Sequence, residues 1–128
     1  MKSLPTILYL ILSAQFSPSN LISHPREVHA TVYNAVPEQT NEDYGNTAFM
    51  FELDLDDPYK HRIIAVSRDL LVEYPGGTKV EVSGTTYDGV YTVMDKMNKR
   101  YTNRIDILIN IDMEIGNWPN ATITLIKE

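Results

Sequence analysis

Cysteine is absent from the chain. That excludes a disulfide framework, zinc–thiolate chemistry, a thiol nucleophile and lipid attachment through an N-terminal cysteine. Basic residues are in the minority, 11 Lys and Arg against 17 Asp and Glu, for a net charge of −6. With no cationic excess to neutralise phosphates, nucleic acid is not an expected partner. Histidine is scarce, and His24, His29 and His61 stand apart with no paired spacing, so a zinc site is not expected. There is no serine nucleophile elbow and no phosphate-binding loop. Outside the first 20 residues no amphipathic helix of useful length, internal repeat or low-complexity tract is present. The acidic run at residues 52–57 (ELDLDD) lacks the alternating ligands, central Gly and closing Glu of a calcium loop, and reads as a solvated strand end. No metal and no cofactor are expected.

What is present suits one globular domain. The 128 residues are 43% hydrophobic and 22% charged, enough for a single real core. The first 17 residues, MKSLPTILYLILSAQFS, place one Lys before an apolar run at residues 7–12 and then small and polar residues. This is the order of a secretory leader, too short to span a membrane. Residues 1–20 are therefore read as a signal peptide and residues 21–128 as the domain. The expected location is exported, periplasmic or extracellular, with no membrane span once the leader is removed.

The remainder reads as short strands separated by turns. Residues 29–33 (HATVY), 47–55 (TAFMFELDL), 62–66 (RIIAV), 78–82 (TKVEV), 90–94 and 121–126 (ATITLI) are strand candidates, and SRDLLVEYP at residues 67–75 fits one helical turn. Residues 104–112 (RIDILINID) have the clearest period, with Ile105, Ile107, Ile109 and Ile111 on one face and Asp106, Leu108 and Asn110 on the other. Such spacing predicts an all-β domain with minor helix, a small barrel or sandwich.

Two aspartates stand out, because Asp95 closes one apolar run and Asp106 interrupts another. Between them lie Lys96, Lys99, Arg100 and Arg104, a local reversal of the overall charge. A salt-bridged hairpin would account for this. A saccharide site would as well, since cleavage of a glycosidic bond needs a proton donor and a base, and a carboxyl flanked by apolar residues tends to keep its proton.

A family resemblance bears on that choice. In order along the chain come Thr31 and Tyr33 of a T-x-Y, then Thr47-Ala48, then Ala65-Val66-Ser67. Next are Pro75, Gly77, Thr78 and Val80, and finally Val93-x-Asp95, followed after eight residues by Arg104-Ile105-Asp106. This series resembles the 3D (three-aspartate) domain, a six-stranded double-psi β-barrel found in membrane-bound lytic transglycosylase A, in proteins of the rare lipoprotein A (RlpA-like) type and, more distantly, in expansins. The first aspartate of the trio is Ser67 here, and Lys96-Met97-Asn98 stands where the family has a Gly-rich stretch.

The resemblance implies a lytic transglycosylase acting on peptidoglycan or a related glycan strand. Asp106 would be the single acid/base and Asp95 the neighbour that holds or polarises it. Ser67, Tyr33, Thr47, Lys96, Asn103 and Arg104 would contact substrate. Two other roles remain open for the same fold. One is a non-catalytic glycan-binding module with Tyr33, Tyr91, Tyr101 and Trp118 as stacking platforms, and the other is a secreted protein-interaction barrel.

Overall fold

The computed structural model describes residues 24–36 and 45–127. The expected leader at residues 1–20 lies outside them. Six strands form one closed barrel: β1 (Arg26–Tyr33), β2 (Ile63–Val66), β3 (Lys79–Ser83), β4 (Gly89–Lys96), β5 (Arg104–Leu108) and β6 (Asn117–Leu125). Around the barrel they run β1-β5-β2-β4-β3-β6, and β6 closes on β1. The expectation of an all-β, six-stranded barrel is met. Among the described residues helix is limited to two short 3-10 segments, Pro58–His61 and Arg68–Val72, the second within the stretch expected to make one helical turn.

The order interleaves the two halves of the chain. Each of β1, β2 and β3 is separated from the next by a strand from the later half. Two pairs are parallel, β1 with β5 and β2 with β4, and the other four are antiparallel. No half of the chain can close its own hydrogen-bond ladder, so the barrel forms only when all six strands meet.

Period-2 alternation fills the interior. Val80 and Val82 of β3, Tyr91 and Val93 of β4, Ile105 and Ile107 of β5, and Ala121 and Ile123 of β6 are fully buried together with Val28, Ile64 and Val66. Each large side chain contributes about 1.5–3 kcal/mol by leaving water. A second, smaller cluster lies on the other face of the strands: Ile63 and Leu108 point away from the interior and are covered by Ala35 and Leu53, with Phe51 and Met94 alongside.

That second cluster explains a departure from expectation. Residues 47–55 do not form a strand; their one ladder contact is an isolated bridge between Asn46 and Glu52. Thr47 O accepts the N–H of Met50 at 2.9 Å, and Met50 takes a left-handed conformation with φ 64°. The turn folds the segment back over the barrel wall, so its apolar residues cover Ile63 and Leu108 instead of pairing.

The alternation of RIDILINID likewise outruns its strand. β5 ends at Leu108, and Ile111 is 73% exposed. Asn110 redirects the chain, its side chain accepting the N–H of Tyr59 at 2.8 Å and donating to Asp57 at 2.8 Å.

Candidate functional site

Ala65, in the middle of β2, organises the site. On one side it pairs with Asp106 of antiparallel β5, and on the other with Asp95 of parallel β4. With neighbouring strands about 4.8 Å apart, the two aspartate backbones stand roughly 10 Å from each other across one small side chain. Asp106, Asp95 and Ala65 all line a cleft of about 670 Å³.

Asp106 reaches the cleft by simple alternation, because Ile105 and Ile107 on either side of it fill the barrel interior. Asp95 does not. Val93 is an interior residue, so unbroken alternation would aim Asp95 inward too. The register slips at this point: Ile64 pairs with Val93, but Ala65 pairs with Asp95, leaving Met94 as an extra residue. This bulge turns Asp95 onto the outward face, opposite Ala65.

The two carboxylates are held differently. Asp95 Oδ1 accepts the N–H of Ala48 at 2.8 Å and of Lys96 at 3.0 Å, and Oδ2 accepts the hydroxyl of Tyr33 at 3.2 Å. Burial raises its pKa above the usual carboxylate range, against the lowering effect of those three donors and of the Lys96 charge. Asp106 Oδ1 accepts one hydrogen bond, from the Thr31 hydroxyl at 2.8 Å, and no described residue donates to its Oδ2. Burial lifts its pKa to about 6; the Thr31 bond and the Arg104 charge oppose the shift, and the Asp95 charge adds to it. Asp95 has three donors and the Lys96 charge to favour its ionised form where Asp106 has one donor and the Arg104 charge, so Asp106 is the readier of the two to hold a proton.

Asp106 forms no ion pair: the two among the described residues are Arg26–Glu73 and Lys60–Asp54. Arg104, the cation whose charge acts on it, is linked to it through Thr31. Its Nε donates to Thr31 Oγ1 at 3.2 Å while the guanidinium lies over the Tyr101 ring at 4.6 Å. The salt-bridged hairpin is therefore not what the aspartates make. Tyr33 stays protonated, its pKa pushed well up by burial and then by the charges of Asp95 and Asp106.

The other expected site residues divide. Tyr33, Thr47 and Lys96 line the cleft with the two aspartates. Thr47 is buried and its hydroxyl accepts the N–H of Phe51 at 3.1 Å, which fixes the turn carrying Ala48. Ser67, Asn103 and Arg104 do not line it. Ser67 is fully buried, and its hydroxyl accepts the N–H of Arg104 at 3.0 Å, so it secures the start of β5. Asn103, left-handed at φ 49°, ties β5 to β1 by donating to Glu27 O at 3.1 Å and accepting from Arg26 at 3.1 Å. Asp69 accepts the N–H of Asn103 at 2.9 Å and also lies off the cleft.

Of the aromatic residues, Tyr101 lines the cleft together with Tyr33, but Tyr91 is fully buried in the core and cannot stack on a ligand. Trp118 packs edge-on against Tyr87, also away from the cleft. Sequence reasoning misses Thr31 as a site residue, although it opens the T-x-Y, and it misses Ala65 and Arg68, which line the cleft. The T-x-Y alternation is the available signal for Thr31, since it puts Thr31 and Tyr33 on one face of β1.

Among the described residues no group of three or more His, Asp or Glu could hold a metal ion, and no helix is long and apolar enough to cross a membrane. No family model matches the chain, and no curated protein matches it.

Proposed function

We propose that the protein is an exported cell-wall protein that cleaves peptidoglycan glycan strands as a lytic transglycosylase, with Asp106 as its single acid/base. The observation that carries this reading is a carboxyl that lines a cleft large enough for sugar rings, has no described donor to its second oxygen, and is lifted by burial to a pKa of about 6. Such a group gives and takes a proton near neutral pH. The interleaved barrel with its two parallel pairs supports the double-psi description and the resemblance to the 3D domain.

On this reading Asp106 protonates the oxygen between N-acetylmuramic acid and N-acetylglucosamine as the bond to the muramyl C1 breaks. The resulting carboxylate then takes the proton of the muramyl C6 hydroxyl, whose oxygen closes on C1 to give a 1,6-anhydro end. No water is consumed, and Asp106 ends protonated as it began. Burial holds the proton on Asp106 and the Asp95 charge adds to that hold; Asp95 also anchors Tyr33 and the Ala48 turn at the cleft wall.

The test is incubation of the purified protein with peptidoglycan and mass spectrometry of the products. The expected result is anhydromuramyl ends from the wild type, reduced by at least about 10²-fold in Asp106→Asn. Strands that are bound but left uncut would favour the glycan-binding module instead.

A further inference from the structure

The cleft that holds the carboxylates also carries three exposed cations, Arg68, Lys96 and Arg100. The chain as a whole is acidic, and neither ion pair among the described residues uses any of the three. Neither Arg68 nor Arg100 is among the groups that shift the two aspartates, so offsetting those charges does not explain them.

The link that bears Lys96 and Arg100 is firmly placed. Met97 is buried, its N–H donates to Val66 O at 2.9 Å, and its carbonyl accepts Arg68 Nε at 3.1 Å. Asn98 then makes a turn, accepting the N–H of Arg100 on its side chain at 3.0 Å and that of Tyr101 on its carbonyl at 3.1 Å. Arg100 lies over the Tyr101 ring at 4.8 Å and donates to its hydroxyl at 2.7 Å. The guanidinium groups of Arg68 and Arg100, fixed in this way, lose little freedom when they meet a partner, and a planar guanidinium held against a ring suits a carboxylate.

We propose that Arg68, Lys96 and Arg100 form a carboxylate-binding wall of the cleft, which selects acidic glycan strands over neutral ones. This rests on the glycan reading above and names the chemistry that such a strand must carry. The carboxylate can come from the lactyl group of a muramic acid that has lost its peptide, or from the peptide where one is attached. Arg68 also fixes the link, so Lys96 and Arg100 are the positions to vary.

Binding of the full chain would be measured by calorimetry to intact peptidoglycan strands, to strands stripped enzymatically of their peptides, and to neutral chito-oligosaccharides. The wild type should prefer the charged strands, and the preference should weaken as salt is raised. Lys96→Gln with Arg100→Gln should lower affinity for them by about 2–30-fold, at the strength of exposed ion pairs. Lys96→Arg with Arg100→Lys should restore it, and equal melting temperatures would show that the variants fold. A preference for the stripped strands alone assigns the lactyl carboxylate, which is free only once the peptide is removed; one for intact strands alone assigns the peptide's carboxylates, and one for both assigns a wall that accepts either. A wild type with equal affinity for all three probes, or a Gln variant that keeps the preference, overturns this inference and leaves the cleavage reading standing. No binding to any of the probes overturns both.

Discussion

Replacing Asp106 by Asn should make the protein more stable at neutral pH while abolishing its chemistry. Asn keeps the shape and still accepts the Thr31 hydroxyl on its oxygen, but it carries no charge to desolvate. The wild-type carboxyl titrates at about 6 in the fold against 3.8 for an ordinary aspartate. Between those values the folded state holds a proton that the unfolded chain has released, so wild-type stability falls as pH rises through the window. At 1.36 kcal/mol per pH unit the full loss is about 3 kcal/mol. Solvent at the open oxygen and the cost of placing an amide there reduce the realised gain to about 1–3 kcal/mol. In a domain of this size that corresponds to a melting point higher by about 5–20 °C at pH 7.5. Below about pH 3 the residue is neutral in the folded and unfolded states of both proteins, and the advantage should vanish. Thermal melts of both proteins at pH 3 and pH 7.5 supply the assay. A variant that is less stable than wild type at pH 7.5, or a difference that does not change with pH, would refute the reasoning.

Three further perturbations have definite expectations. Asp95→Asn removes the charge that raises the Asp106 pKa, so the pH–rate profile should move to lower pH and activity should fall less than in Asp106→Asn. Thr31→Val deletes the one described donor to Asp106 and the acceptor of Arg104, and should cost about 1–3 kcal/mol in urea unfolding while raising the Asp106 pKa further. Gly89→Ala would set a Cβ 2.2 Å from the Arg62 guanidinium at φ +140°, and should lower the melting point by several degrees or more with the cleft untouched.

Where a strand simply alternates, its sequence is enough to place its side chains. KVEVS and RIDIL declare their inward faces, and alternation alone assigns Asp106 to the outward face of β5. The same rule misplaces Asp95, because the slip at Met94 adds a residue that looks like any other apolar strand position. A single-residue bulge reverses the face of everything after it and leaves no mark in composition. The segment at residues 47–55 misleads for a related reason: an alternating apolar pattern serves equally well for a loop that covers an outward cluster. Ser67 stands where the resemblance to the 3D domain leads one to expect an aspartate, yet its neighbours in space, Arg104 and Asp69, make it a fastening for β5. Arg104 lies far from Ser67 in sequence, and only the interleaved strand order brings the two together.

The central claim is that Asp106, facing the cleft, holds its proton well above the ordinary aspartate range, up to about pH 6. Carbon-detected NMR of the side-chain carboxyls across pH 3 to 9 measures this directly. The account predicts a titration for Asp106 with a midpoint of about 6, moving lower in Asp95→Asn. A midpoint at the ordinary aspartate value, unmoved by that substitution, would contradict it.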